Sequence, residues 1–241
     1  LYTDMGLLTC NDAIGEDATA VFNMLSGYSE PPAWNKLMVA PIWLKDRFLM
    51  LINREADNAK KGKKARIVAK MNSLCDPMII EALYKASAAG VQIDLIIRGI
   101  CCLKVGIPGI SENIRVRSIV GNFLEHSRIF YFYNDGFEDV YMGSADWMPR
   151  NLDKRVEITF PVEDETLKQE VIDILKLQLA DTLKAHILLP NGREYAKQDL
   201  RGLEKIAAQD EFCKQAMNRK SKIDKDVVRN IFEPAVPPTE E

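Results

Sequence analysis

The sequence has only two histidines, His126 and His186, and no C-x-x-C pair among its five cysteines. A zinc site needs three or four such ligands at close spacing, so Cys/His metal binding is set aside. Cys10, Cys75, Cys101, Cys102 and Cys213 are odd in number, and the adjacent Cys101 and Cys102 are poorly placed to bridge each other. Reduced, mostly buried thiols in a cytoplasmic protein are the expectation. No apolar run approaches the length needed to cross a bilayer, and no internal repeat is visible. Positive charge is not in excess either: 32 Lys and Arg stand against 35 Asp and Glu, a formal net charge of -3. A polyanion would therefore have to be held by a local patch, and no nucleic-acid partner is expected. The chain opens on Leu1 without a Met and without signal-peptide character, which reads as a fragment of a longer protein.

What is present is enough chain, 241 residues, for one sizeable α/β domain with an arm and a tail. Ile14, Ala18, Val21, Phe22 and Leu25 recur at helical spacing behind Asn11 and Asp12 as caps. Ser26 to Trp34, with Gly27, Ser29, Pro31 and Pro32, stops that helix and marks a boundary. Beyond it the pattern predicts a strand over 37–41, a helix over 44–59, a basic loop (Lys60, Lys61, Lys63, Lys64), a strand over 66–71, a helix over 77–89 and a strand over 91–98. This β-α-β-α-β order favours helices packed on a parallel or mixed sheet, with ligands gathered at the C-terminal ends of its strands. Further strands are read at 114–120, 128–133, 140–143 and 156–162, with Asn134-Asp135-Gly136 as a hairpin turn. Helices over 167–184 and 197–217 complete the domain. The Pro- and acid-rich stretch 226–241 has little to bury and is expected to be disordered. The resulting division is 1–34, 35–225 and 226–241.

Between residues 98 and 155 the sequence concentrates arginine: Arg98, Arg115, Arg117, Arg128, Arg150 and Arg155. A guanidinium offers paired donors and keeps its charge, which suits phosphate recognition. Alternation puts Arg115 and Arg117 on one face of their strand. The alternative is that these arginines form ion pairs with Glu125, Asp139, Asp146 and Asp153. Arg98 stands apart, because it ends the apolar strand Ile93, Leu95, Ile96, Ile97 and precedes Gly99. His126 sits at the entrance of the strand Ile129 to Phe132, where an imidazole could carry a proton to or from a phosphate oxygen. His186 has no comparable setting and is read as structural.

His126-Ser127-Arg128, a strand, a turn and Gly143-Ser144-Ala145-Asp146 resemble the second half-motif of the phospholipase D superfamily, in which two halves supply one histidine each. The basic residue is Arg128 rather than Lys, Tyr133 stands where an Asp is usual, and Asp146 replaces the closing Asn. Those departures fit one branch. Leu1-Tyr-Thr-Asp4, Leu7-Leu8-Thr9, Phe22 to Ser29 (FNMLSGYS), Arg98-Gly99, Gly109 to Val120 (GISENIRVRSIV), Leu124 to Arg128 and Gly143 to Asp153 are similar, in order, to the polyphosphate kinase family.

The resemblance implies an α/β fold, a phospholipase D-like mixed sheet flanked by helices, with residues 1–34 as the end of a preceding catalytic domain plus linker. It implies transfer of the terminal phosphoryl group of ATP to inorganic polyphosphate through a phosphohistidine upstream of this chain. Tyr2 would contact the nucleotide, Arg98 its phosphates, and His126 would assist transfer; Arg117 and Arg128 join them as phosphate-binding candidates. Mg²⁺ is implied as cofactor with ligands upstream, and ATP or ADP as substrate. The implied partners are the missing N-terminal part and further copies in a homo-oligomer. The location implied is cytoplasmic, with peripheral membrane association in some members. The 241-residue chain alone is expected to be inactive. A phosphodiesterase of the wider superfamily and a non-catalytic polyanion-binding module remain as alternatives.

Overall fold

The computed structural model describes residues 2–27, 29, 31–190, 192 and 194–226. One compact unit runs to Ala208. Its strands are β1 (Tyr2–Thr3), β2 (Met38–Ala40), β3 (Arg66–Met71), β4 (Gln92–Ile97), β5 (Ile114–Ile119), β6 (Leu124–Glu125), β7 (Arg128–Phe132), β8 (Asp139–Gly143), β9 (Glu157–Pro161), β10 (Ala185–Leu188) and β11 (Tyr195–Lys197). Its helices are α1 (Asp12–Leu25), α2 (Leu44–Lys60), α3 (Pro77–Ala88), α4 (Pro149–Lys154) and α5 (Glu165–Leu179). Side-chain caps start three of them: Asn11 accepts from the Ile14 N–H, Asp76 from Ile79 and Asp164 from Leu167.

Among the described residues, nine strands form one mixed sheet in the order β11-β10-β5-β4-β3-β7-β8-β9-β2. β3, β4 and β5 are parallel, whereas β7, β8 and β9 alternate in direction from β3 outward. The C-terminal ends of β3, β4 and β8 and the N-terminal end of β7 therefore meet at one end of the sheet. The mixed sheet flanked by helices expected of a phospholipase D-like domain is present.

Period-two alternation gives each face its own core. Ile67, Ala69, Ile93, Leu95, Phe130 and Phe132 pack under Phe48 of α2 and Leu83 of α3. Val68, Ile96, Ile129 and Tyr131 pack with Val171, Ile172 and Leu175 of α5. On the first face Trp147 is wholly buried, stacked 5.2 Å from Phe130 and edge-on to Phe48. Burial of a ring of this size contributes about 2 kcal/mol. It also anchors the segment just beyond β8, because the Trp147 carbonyl accepts the N–H groups of Cys75 and Asp76, each at 2.9 Å.

Three expectations are corrected. The helix read as 167–184 stops at Leu179, and the one read as 197–217 begins only at Ala208. Buried Asp181 is the cause: its carboxylate accepts from Lys184 N–H (2.7 Å), Ala185 N–H (3.0 Å) and Ala208 N–H (2.7 Å), folding the chain into a turn that leads into β10. β10 and β11 then extend the sheet beside β5, with His186 in β10 bonded through Nδ1 to the Lys184 carbonyl. The cysteines are not mostly buried: Cys10, Cys102 and Cys213 are exposed and Cys75 and Cys101 half-buried, all as free thiols. Burial and a hydrogen bond with Cys102 push the Cys75 thiol up to about 11.

A second unit begins at Gln209; its described part, 209–226, is helical and carries a Lys214–Glu211 ion pair. Of the stretch 226–241 expected to be disordered, Asp226 ends that helix and the rest lies outside the described residues.

Candidate functional site

The strand ends that meet at one end of the sheet bring together side chains far apart in sequence. β7 begins at Arg128, so His126 and Ser127 lie just before it, beside the end of β3 (Lys70, Met71, Asn72) and the end of β8 (Gly143 to Asp146). Position 143 has to be glycine here: a Cβ would lie 2.5 Å from the Ile158 carbonyl oxygen and 2.9 Å from Thr159 Cα, an overlap that would drive β9 off β8.

His126 is held from two sides. Its Nδ1 lies 2.9 Å from Asp4 Oδ2. A carboxylate can only accept, so this contact favours the tautomer with the hydrogen on Nδ1. Arg128 Nη1 lies 2.9 Å from Nδ1 and 3.0 Å from Nε2 of that ring, and also donates to the His126 carbonyl at 2.6 Å. The backbone of the turn is fixed as well, since β1 pairs with β6 and the His126 N–H donates to the Thr3 carbonyl at 2.8 Å. Tyr2, at the start of β1, meets the imidazole edge-on at 4.9 Å between ring centroids. Desolvation pushes the Asp4 carboxyl up, but the bonds from His126 and the Met5 N–H outweigh it and hold it below the usual range.

Arg128 itself is buried and bidentate on Asp146, with Nε at 3.1 Å from Oδ1 and Nη2 at 3.3 Å from Oδ2. The ion pair weighed as an alternative for this arginine thus exists, and it carries the guanidinium against the imidazole. Asp146 Oδ1 also accepts the Asn72 N–H at 2.8 Å, and Asn72 Oδ1 accepts from Arg98 Nε at 3.0 Å. A continuous run of contacts, His126–Arg128–Asp146–Asn72–Arg98, therefore joins the two residues singled out at the ends of separate strands. Among the described residues, Nη1 and Nη2 of Arg98 have no protein partner.

Lys70 supports the turn from below. It is buried, and its Nζ donates to the Ser127 carbonyl and Oγ at 2.9 Å each and lies 3.5 Å from Glu125 Oε2. Burial lowers its pKa, against the pull of Glu125. A cleft of about 690 Å³ opens beside His126 and Arg128 toward α1 and β9. On its far wall the buried carboxylate of Glu157 accepts from Ser144 Oγ and Asn151 Nδ2, with Arg155 Nη1 at 4.0 Å.

The structure thus brings Tyr2, His126 and Arg128 into contact, and Arg98 is joined to them through Asp146 and Asn72 without lining the cleft. Arg117 is not joined to them: its Nη1 donates to the Leu179 carbonyl at the end of α5, and burial lowers its pKa. Arg115 reaches back to Asp94 at 3.3 Å. Asn72, Lys70 and Glu157 were missed in the sequence. A lone lysine in the apolar run Ile67 to Met71 was the one available signal; an asparagine after a strand and a glutamate opening one carry none.

Fold and site together define an α/β domain that presents a histidine–arginine cluster where its strand ends meet. The family model described as Polyphosphate kinase C-terminal domain 2 matches residues 37–209. The chain is 52% identical over 217 residues to a polyphosphate kinase of Synechocystis sp., covering 90% of this chain and 30% of that protein. It is 56% identical over 185 residues to one of Halalkalibacterium halodurans, covering 77% and 26%. The crystal structure of polyphosphate kinase from Porphyromonas gingivalis superposes with a TM-score of 0.84 at 40% identity, covering 89% of this chain and 33% of that one. The chain belongs to the polyphosphate kinase family, and it spans less than a third of the length of these relatives.

Proposed function

We propose that this chain is the C-terminal catalytic part of an enzyme that reversibly transfers the terminal phosphoryl group of ATP to inorganic polyphosphate, ATP + polyP(n) = ADP + polyP(n+1). One anhydride replaces another, so the protein mainly has to align the reacting oxygens and neutralise charge on the moving group. The observation that carries the reading is the Arg98 guanidinium, fixed through Nε while its Nη1/Nη2 fork has no protein partner among the described residues, joined by a run of contacts to the His126 imidazole. The fork is the bidentate phosphate donor. Asp4 holds the imidazole at Nδ1, which leaves Nε2 and the adjacent Arg128 Nη1 to meet a phosphate oxygen, and Tyr2 lies beside the ring for the nucleotide.

The covalent phosphohistidine belongs to the missing upstream part of the same enzyme. Mg²⁺ would accompany ATP with ligands in that part, and no residue role above is routed through it. Homo-oligomerisation and a cytoplasmic site with peripheral membrane association complete the reading; no helix among the described residues is long and apolar enough to cross a membrane. In the full-length enzyme, His126→Ala should lower polyphosphate synthesis from ATP by about 100-fold or more, as loss of an acid–base group does. Synthesis close to wild type would remove His126 from the mechanism.

A further inference from the structure

The run of contacts from His126 to Arg98 passes through Asn72, which bonds to Arg98 directly and reaches His126 only through Asp146 and Arg128. Asn72 is buried at the C-terminal end of β3, and three of its groups bond to two different segments. Its N–H donates to Asp146 Oδ1 at 2.8 Å, its Oδ1 accepts from Arg98 Nε at 3.0 Å, and its carbonyl accepts the Gly99 N–H at 2.8 Å. The loop after β4, which carries Arg98, and the loop after β8, which carries Asp146 and through it Arg128, are thus both referred to one residue. Two neighbouring contacts hold that frame. The Trp147 carbonyl ties down Cys75 and Asp76 on the Asn72 side. A Cβ on Gly99 would lie 2.9 Å from the Asn72 carbonyl oxygen, so residue 99 can come this close only as glycine.

A guanidinium has two usable forks. With Nε taken by Asn72 Oδ1, the Nε/Nη2 pair can no longer act as a fork and the Nη1/Nη2 fork is what remains, at a fixed angle. Without Asn72 Oδ1, Arg98 would keep its charge but could turn about its long side chain. Binding would survive in weakened form, and alignment with the imidazole would be lost.

We propose that Asn72 is a positioning residue for phosphoryl transfer: it selects the fork that Arg98 presents to the phosphate and sets the spacing between that fork and His126. This rests on the function proposed above.

The test is a double-mutant cycle in the full-length enzyme, reading kcat and KM for ATP separately in Asn72→Ala, Arg98→Ala and the double variant. Alanine keeps the two backbone bonds of residue 72, so the melting temperature should stay near wild type. Asn72→Ala is expected to lower kcat/KM for ATP about tenfold, the scale of one hydrogen bond to a charged group, mainly through kcat. In the Arg98→Ala background the same change should alter kcat/KM by less than about twofold, because its effect runs through the guanidinium. An equal tenfold loss in both backgrounds, or no loss in the wild-type background, overturns the positioning role while leaving the proposed function standing. If Arg98→Ala alone has no effect, the assignment of Arg98 fails first and the role of Asn72 falls with it. Should Asn72→Ala aggregate, Asn72→Ser, whose shorter hydroxyl cannot reach Arg98, runs the same cycle.

Discussion

The two ends of the central sheet handle charge differently. At the end away from the cleft, Arg66 and Arg115 both pair with Asp94, Lys63 pairs with Asp135, and Glu55 accepts the N–H groups of Arg66 and Asn134. Each group there closes on a neighbour within one or two strands, and the result is structural. At the cleft end the contacts run through five residues and stop at a guanidinium whose outer fork has no protein partner among the described residues. Paired charges are common to both ends, so the presence of a partner does not separate structure from site. What separates them is whether the pairing leaves donors over.

Three substitutions probe that contrast. The largest effect is expected at Lys70, which lies at the cleft end yet has all its work in holding the 125–127 turn. Lys70→Met leaves Glu125 without this buried cation and should cost about 3 kcal/mol of stability by denaturant unfolding. Because burial holds the folded-state pKa of Lys70 below its ordinary 10.5, the unfolded chain binds more protons between those two values. Wild-type stability therefore gains a rising contribution from Lys70 as pH climbs through that window, and Lys70→Met should lose it. A methionine variant as stable as wild type, with the same pH profile, would show that the lysine supports nothing.

A middle-sized effect is expected at Arg117. Its bond to the Leu179 carbonyl sets a cation at a helix C-terminus, so Arg117→Ala should cost about 1 kcal/mol and leave KM for ATP unchanged. A several-fold rise in KM without loss of stability would return Arg117 to the phosphate site and break the contrast. The smallest effect is expected at Arg115, an exposed partner of Asp94. Arg115→Ala should shift stability by less than about 0.5 kcal/mol and leave synthesis unchanged, and a loss of activity there would mean that the far end of the sheet also serves the reaction.

The β-α-β-α-β half of the fold was legible because its apolar spacing is long and regular; β2 through β4 and both intervening helices lie within a residue or two of their expected bounds. β10 was not, because four residues at the rim of a sheet carry no period, and because the preceding leucines continue a helical pattern that only the turn around Asp181 ends. Within the site, His126, Arg98 and Arg128 were readable from residue type and strand position. Their connection was not, since it depends on Asn72 meeting Asp146 across 74 positions of sequence, a contact set by the order of strands rather than by any local pattern.

The Asn134-Asp135-Gly136 hairpin joins β7 to β8 at the end of the sheet opposite the cleft, with Asn134 and Asp135 in left-handed conformation. Five residues of strand, about 17 Å, separate it from Arg128. That makes the hairpin a natural handle: a dye, a cross-linker or an immobilisation tag fixed there would report on or tether the domain while leaving the mouth of the cleft clear.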